Sequence, residues 1–221
     1  MPIPKAIIFD LDGVLTDTSE YHYQAWKHLA DDEGIPFTHE ENDAYLRGVG
    51  RRESLGYLIR DRQYSEEQIQ EMMDRKNRYY SQLIKAMGPK DVVAGGRELL
   101  EEIRHAGIKT AIASASKNCR TVLDLLQITQ YFDGIADGNC VVNSKPAADI
   151  FVFAAGQVNV PTPQCLGVED ADAGIEAIKT AGMTALGIGP QERFHRADRV
   201  LPTMENKRLR DLLLQYPTSG S

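Results

Sequence analysis

The chain has 221 residues, of which 42% are hydrophobic and 26% are charged. This composition is typical of a globular protein with one sizeable domain, or one domain that carries an insertion, and it argues against disorder. The formal net charge of −7 disfavours nucleic-acid binding through the whole surface, although it leaves room for a local basic pocket.

The sequence contains no evident membrane or export signal. No apolar run approaches the length that spans a bilayer, and charge arrives at Asp10, too early for the apolar region of a signal peptide. We therefore expect a cytoplasmic protein with no membrane and no nucleic-acid partner. The terminal TSGS is expected to be a flexible tail outside the fold. Three cysteines without C-x-x-C spacing favour a reducing compartment and no zinc site, and they are Cys119, Cys140 and Cys165.

The predicted elements begin with a buried strand, AIIF, at residues 6–9. The next segment, from about residue 16 to about residue 87, has helical patterns and no convincing strand. SEEQ at residues 65–68 is a capping box that opens the longest of these helices. The four predicted helices of this segment cover residues 20–32, 40–47, 51–61 and 65–86.

Short apolar runs then return, separated by amphipathic stretches. The runs that predict strands cover residues 110–114, 134–136, 165–168 and 184–189. The stretches that predict helices cover residues 96–107, 119–128 and 173–182. Strands that alternate with helices predict an α/β fold, a Rossmann-like doubly wound parallel sheet, with a small all-helical cap inserted after the first strand.

The predicted core comprises residues 1–15 and 88–221, and the predicted cap comprises residues 16–87. Thr16 and Asp17 mark where the chain leaves the core, and Gly88 and Pro89 mark where it returns. Two crossings side by side would form a hinge for closure of the cap over a site.

Polar residues follow the predicted strands at their carboxyl ends, where open parallel sheets bind ligands. They are Asp10 and Asp12 after the first strand, Ser114 to Asn118 after the second, Lys145 after the third, and Glu169 and Asp170 after the fourth. Carboxylates, one hydroxyl and one lysine at the same edge suit phosphoryl transfer.

Carboxylates this close repel each other unless a cation lies between them, and Mg²⁺ prefers carboxylate oxygens. One carboxylate could attack phosphorus to form an aspartyl phosphate, while Asp12 exchanges a proton with the hydroxyl that is phosphorylated or released. Lys145 and Ser114 would hold the phosphoryl oxygens. The predicted ligands of Mg²⁺ are Asp10, Asp12, Glu169 and Asp170.

Four motifs together resemble those of the haloacid dehalogenase (HAD) superfamily of phosphotransferases. They are DLDGVLTDT, the serine of ASASKN, the lysine of SKP and the acidic pair of GVEDADAG, in that order along nearly the whole chain. Each alone has a simpler explanation: a solvated loop, a surface lysine or a helix N-cap. The complete ordered set, each member after a predicted strand, makes those explanations improbable. The resemblance implies a HAD-like core, and the insertion after the first motif implies a small cap.

Cap and core segments further resemble the β-phosphoglucomutase family; they are TDTSEYHYQAWKHLA, YLRGVGRRESL, DRKNRYY and IASASKN. The resemblance implies an isomerase that interconverts β-D-glucose 1-phosphate and β-D-glucose 6-phosphate through a bisphosphate. Asp10 would be the nucleophile, phosphorylated at rest, and Asp12 the general acid and base. His22 would bond near Asp12 and help to position it when the cap closes.

The same resemblance implies a second phosphate site, which holds the phosphate that is not being transferred. Its predicted residues are Arg51, Ser116, Lys117 and Asn118, with sugar contacts at Gly48 and Val49 and further substrate contacts at Ala115, Lys76 and Trp26. Without the resemblance, RGVGRR could equally be a solvated basic turn. A histidine packed on a core stripe and an exposed helix lysine are the alternatives for His22 and Lys76.

Four positions depart from the family pattern. Arg47 stands where relatives commonly have lysine and Gly50 where some have serine, which puts the details of sugar contact in doubt. Ala148 replaces a proline, which should loosen a helix start slightly. Ala171 replaces a serine, which would remove one hydrogen bond near the metal site.

Two alternatives to a glucose phosphate mutase stay open. A HAD-type sugar-phosphate phosphatase, or a mutase of another β-sugar phosphate, would share the core motifs, whereas a non-enzymatic binding module would not need Asp10. The cap motifs favour the mutase. We expect small sugar phosphates as partners and, from the motion of the cap, a monomer.

Overall fold

The computed structural model describes residues 3–60 and 62–214, so the predicted tail at residues 218–221 lies outside the described residues. Within them, six parallel strands form one sheet in the order β3-β2-β1-β4-β5-β6. The strands are Ala6–Phe9 (β1), Lys109–Ala113 (β2), Gly134–Ala136 (β3), Cys165–Glu169 (β4), Thr184–Ile188 (β5) and Arg199–Leu201 (β6).

The five predicted strands are confirmed to within one residue at each end, and β6 was not predicted. That strand is only three residues long, begins with Arg199, and is half-buried along its whole length. It lies at the edge of the sheet and pairs only with β5. A short edge strand lacks the continuous apolar run that marks a strand covered on both faces.

β1 lies in the middle of the sheet, and its four residues are all buried. Ile7 and Phe9 pack into the hydrophobic cluster on one face, whereas Ala6 and Ile8 pack into the cluster on the other. Side chains alternate between faces along a strand, so both faces of the sheet are covered and an unbroken apolar run results.

The helices cover both faces of the sheet and form the whole cap. They are Ser19–Asp32 (α1), His39–Tyr45 (α2), Arg51–Ile59 (α3), Glu66–Leu83 (α4), Gly96–His105 (α5), Cys119–Leu126 (α6), Asp149–Gln157 (α7), Asp172–Thr180 (α8) and Leu209–Leu213 (α9). The predicted capping box is confirmed, because the Ser65 hydroxyl accepts from the Gln68 backbone and the Gln68 side chain accepts from the Ser65 backbone. The fourth predicted helix ends earlier, at Leu83, and continues as a 3-10 turn, Ile84–Ala86.

Helices α1 to α4 pack around a hydrophobic cluster of their own, which includes Trp26, Leu29, Leu55 and Met72. The end of α4 is different, because Tyr80 and the residues after it join a cluster of the α/β core. We propose that the cap comprises residues 16–87, with α4 as its anchor on the core.

The two crossings between cap and core are hydrogen-bonded to each other. The Thr16 hydroxyl donates to the Asp91 carbonyl (2.7 Å), and the Val93 N–H donates to the Leu15 carbonyl (2.8 Å). Asp17 caps the start of α1, since its carboxylate accepts from the Ser19 N–H (3.0 Å). The cap is therefore joined to the core by two adjacent chain segments that are hydrogen-bonded to each other. Within the described residues, no helix has the length and apolarity needed to cross a membrane.

The separate cap cluster predicts how the cap responds to a cavity. Leu55→Ala removes a fully buried side chain from that cluster and should cost about 2–5 kcal/mol of unfolding free energy. Urea denaturation measures this loss. The matched control is Val152→Ala on α7, where 47% of the side chain is exposed and the loss should stay under about 1 kcal/mol. Equal losses at both positions would contradict the assignment of a packed cap core.

Candidate active site

The site lies where β1 meets its two neighbours at their carboxyl ends. Phe9 is in register with Ile112 of β2 on one side and with Val168 of β4 on the other. The residues that follow these strands are consequently level with one another. The strands β2 and β3 lie on one side of β1, and β4, β5 and β6 lie on the other, so the strand order reverses direction at β1. Open α/β sheets bind ligands at such a switch point.

Lys145 joins two acidic residues at the base of the site, Asp10 and Glu169. Its side chain is fully buried, and Nζ donates to a carboxylate oxygen of Asp10 and to Oε2 of Glu169 (2.8 Å). Burial alone would lower the pKa of Lys145, but the charges of Asp10 and then Glu169 outweigh it and raise the pKa above its usual value. The lysine is therefore a fixed cation between two buried acids.

Three carboxylates form a tight group at the base of the site. Asp10, Glu169 and Asp170 each offer one oxygen, and these oxygens lie within 4.8 Å of one another. Burial, followed by the charge of Asp10, raises the pKa of Glu169 to about 8. The other oxygen of Glu169 accepts from the N–H groups of Asp170 and Ala171, both at 3.1 Å. Three carboxylate oxygens this close together fit a hard divalent cation such as Mg²⁺.

For Asp12, the fourth predicted metal ligand, metal binding stays a prediction. Its carboxylate lies outside this group because it turns towards the cap, where it accepts from the Thr18 hydroxyl and lies 3.8 Å from Nε2 of His22. Withdrawal from water in the cleft, followed by the charge of Asp10, raises the pKa of Asp12 to about 7, although 26% of the side chain stays exposed. A carboxyl group with that pKa can both donate and accept a proton near neutral pH.

A chain of side chains leads from Asp12 into the cap. Nζ of Lys76 lies 2.9 Å from Nδ1 of His22, and the ammonium group lies over the rings of Trp26 (4.9 Å) and Tyr80 (4.8 Å). Burial, followed by the charge of Lys76, lowers the pKa of His22. Donation from Lys76 to Nδ1 leaves Nε2 as the ring nitrogen that carries hydrogen towards Asp12.

Neither alternative reading of these two residues is retained. Only 3% of Lys76 is exposed, so it is not a surface lysine, and burial followed by the charge of Arg51 lowers its pKa. His22 is not sealed in the cap core, since its side chain is 27% exposed and lines the cleft. Both face the site, as the resemblance implies.

The cap closes on the core through polar and glycine contacts. Arg47 donates to Oδ2 of Asp170 from Nε (2.9 Å) and also from Nη2. A Cβ atom on Gly48 would lie 2.7 Å from the Cβ of Ala171, and one on Gly50 would lie 2.6 Å from the Ser144 hydroxyl. Three of the departures, Arg47, Gly50 and Ala171, therefore lie on the closing surface. A serine at position 50 would bring its Cβ too close to the side chains of Glu53 and Ser144, and Arg47 reaches a candidate metal ligand.

The cavity that Asp10, Asp12 and Ser114 line also contains most of the residues predicted to contact the substrate. They are Gly48, Val49, Arg51, Trp26, Ala115, Ser116 and Lys117. Within residues 3–60 and 62–214, no carboxylate lies within ion-pair distance of Arg51 or Lys117. This region is therefore suited to an anion.

Asn118 is the predicted substrate residue that does not line this cavity. It lies behind the cavity wall and donates to Oδ1 of Asn77 (2.8 Å), which also accepts from Nη2 of Arg51 (2.9 Å). The sequence reasoning missed Asn77 and gave Arg47 no contact in the site. An asparagine on a helix carries no signal of its own, and its position beside Lys76 in the quoted DRKNRYY segment was the only clue.

The grouping of Asp10, Lys145 and the acid pair at one sheet edge, beneath a helical cap, suits a phosphotransferase. The sequence profile of the haloacid dehalogenase-like hydrolase family matches residues 4–182, and the chain belongs to this family. More particular likenesses are to β-phosphoglucomutases. The chain is 42% identical over 201 residues to the β-phosphoglucomutase of Bacillus subtilis (strain 168), which covers 89% of this chain and 88% of the relative.

Two further comparisons, one with a solved structure and one with a phosphatase, extend this result. The solved structure of β-phosphoglucomutase from Clostridium difficile matches with a TM-score of 0.93 and 38% identity over 97% of both chains. A phosphorylated carbohydrates phosphatase of Thermotoga maritima is 32% identical over 184 residues, which cover 81% of this chain and 82% of the relative. The HAD-like fold with a helical cap is thereby confirmed.

The Arg47 contact predicts a competition for Asp170. Arg47→Gln removes a cation that occupies one oxygen of a candidate metal ligand, so Mg²⁺ should bind about 10-fold more tightly to the substrate-free protein. Isothermal titration calorimetry measures the affinity. Arg52→Gln, which removes an exposed cap arginine paired with Glu66, is the matched control and should leave the affinity unchanged. Unchanged or weaker Mg²⁺ binding by Arg47→Gln would contradict the competition.

Proposed function

We propose that the protein is a phosphomutase that interconverts β-D-glucose 1-phosphate and β-D-glucose 6-phosphate through glucose 1,6-bisphosphate. One observation supports the proposal: Asp10, the proposed nucleophile, lines the same cleft as Arg51 and Lys117, which have no carboxylate within ion-pair distance among the described residues. A sugar bisphosphate has one phosphate for the nucleophile and one for these two cations. The identity of 42% to a β-phosphoglucomutase supports this substrate class.

Asp10 is the proposed nucleophile. The contact with Lys145 holds its buried carboxylate in one orientation. One oxygen of Asp10 attacks phosphorus, the bond from phosphorus to the sugar oxygen breaks, and an aspartyl phosphate remains on the enzyme. Ser114, whose buried hydroxyl lines the cleft, and Lys145 offer donors to the phosphoryl oxygens.

Asp12 is the proposed general acid and base. It gives its proton to the sugar oxygen that leaves phosphorus, and it removes the proton from the sugar hydroxyl that attacks the aspartyl phosphate in the other half-reaction. Its raised pKa, to about 7, suits both directions. His22 and Thr18 fix the carboxylate on the cap side of the cleft, and Lys76 orients His22.

Mg²⁺ is the proposed cofactor, and Asp10, Glu169 and Asp170 would hold it. When bound, it supplies positive charge that offsets the carboxylates and the phosphoryl oxygens. A Cβ on Gly13 would lie 2.0 Å from Oδ2 of Asp170, so the chain leaves space beside that oxygen which any other residue would fill.

Arg51, Ser116, Lys117 and Asn118 form the proposed site for the phosphate that is not transferred. Its separation from Asp10 allows the bisphosphate to be bound in either of two orientations, which is what a mutase requires. Cap closure on the two adjacent crossings would exclude water from the aspartyl phosphate, and this exclusion separates a mutase from a phosphatase. We propose that a monomer suffices for this cycle.

The deciding assay supplies β-glucose 1-phosphate, Mg²⁺ and a trace of glucose 1,6-bisphosphate. Glucose 6-phosphate should accumulate, as measured with a coupled dehydrogenase. Rapid release of inorganic phosphate from sugar phosphates without glucose 6-phosphate formation would instead identify a phosphatase, the activity in the name of the Thermotoga maritima relative.

Two substitutions separate the transfer site from the second phosphate site. Asp10→Asn removes the nucleophile and should lower both mutase turnover and acetyl phosphate hydrolysis by about 1,000-fold or more. Arg51→Ala should lower mutase kcat/KM about 100-fold, because the half-buried charge-assisted contact to phosphate is lost. It should affect acetyl phosphate hydrolysis much less, because that donor has one phosphate only. Equal losses in both assays for Arg51→Ala would contradict a separate second site.

A further inference from the structure

Asn77 connects the cap to the core at the second phosphate site. It lies on α4, half-buried, and its amide oxygen accepts two hydrogen bonds. One comes from Nη2 of Arg51 in the cap (2.9 Å), and the other comes from Nδ2 of Asn118 in the core (2.8 Å). The two donors are residues that we propose for the distal phosphate, and in this closed structure a single neutral oxygen holds both.

The surroundings of Asn77 make this oxygen unusual. Among the described residues, it is the only hydrogen-bond acceptor of the Arg51 side chain. Burial lowers the pKa of Arg51, and the charge of Arg51 adds to the burial that lowers the pKa of Lys76 nearby. A carboxylate would normally pair with an arginine in such a position. The chain places a carboxamide there instead, which satisfies hydrogen-bond geometry without neutralising the charge.

We propose that Asn77 is a positioning residue whose amide oxygen takes the place of one oxygen of the distal phosphate until that phosphate arrives. The inference rests on the proposed function, because it takes the distal phosphate as the natural ligand of Arg51 and Asn118. In the absence of substrate, Asn77 joins these residues and stabilises the closed cap. The phosphate then takes over their donors.

The physical reason for the exchange is the difference between a neutral and an anionic acceptor. A guanidinium group is attracted to a phosphate oxygen by opposite charge as well as by the hydrogen bond, whereas a neutral amide oxygen offers only the hydrogen bond. A phosphate can therefore displace the amide oxygen, whereas it would compete poorly against a carboxylate at the same point. The two hydrogen bonds that Asn77 accepts stabilise the closed cap, and a phosphate can still displace them because the amide oxygen carries no net charge.

The first test measures cap closure without any ligand. Trp26 is the one tryptophan of the chain, is 3% exposed and lines the cleft, so acrylamide quenching of its fluorescence reports opening of the cap. Asn77→Ala removes the shared acceptor and should raise the quenching constant about twofold. Asn77→Asp keeps an acceptor oxygen and should quench like the parent protein.

The second test measures binding of glucose 6-phosphate in the absence of Mg²⁺, followed by Trp26 fluorescence. Asn77→Asp should weaken binding about 10-fold or more, because its carboxylate pairs with Arg51 and repels phosphate. In the mutase assay the same variant should raise KM much more than it lowers kcat. Gln82→Glu, which adds the same charge at an exposed position of α4, is the matched control and should bind like the parent protein.

The outcomes separate the two proposals. Asn77→Asp that binds glucose 6-phosphate as tightly as the parent protein, or Asn77→Ala with unchanged quenching, would overturn the role of Asn77. Parallel losses of affinity and melting temperature in both variants would also overturn it, because they indicate a purely structural residue. Absence of mutase turnover in the parent protein would remove the proposed function instead, and the role of Asn77 would still be decided by quenching and binding.

Discussion

The ammonium group of Lys145, bonded at once to Asp10 and Glu169, allows acids to crowd at the carboxyl end of β1. Carboxylates packed this closely would otherwise repel one another in a buried, poorly solvated place. The lysine reaches this point from the loop after β3, and the acids come from the ends of β1 and β4. A buried ion group of this kind contributes little net stability. It serves to hold a reactive carboxylate in one orientation.

The same electrostatic reasoning explains how the cap meets the core. The closing surface is made of polar contacts and glycines: Arg47 pairs with Asp170, Asn77 bridges Arg51 and Asn118, and Gly48 approaches Ala171. A bound anion or cation can replace these polar contacts. Such contacts therefore suit an interface that has to open and close. The permanent attachment lies elsewhere, where the end of α4 and Tyr80 pack into the apolar core.

Sequence reasoning succeeded where one local pattern fixes the outcome. Unbroken apolar runs gave five of the strands, because both faces of the sheet are covered. Asp10, Ser114, Lys145 and the pair after β4 were placed at one edge because parallel strands all end there. It failed for β6, a half-buried edge strand, and it did not find the hydrogen bond from the Thr18 hydroxyl to the Asp12 carboxylate.

The sequence by itself determined the class of fold, the inserted cap and the residues that suit phosphoryl transfer, because each depends on short-range periodicity or on a motif after a strand. Only the tertiary structure decided which side chains meet across the cleft. The pairs Arg47 with Asp170 and Asn77 with Asn118 join residues 123 and 41 positions apart. Such contacts depend on how the cap is packed on the core, and no local pattern records that packing.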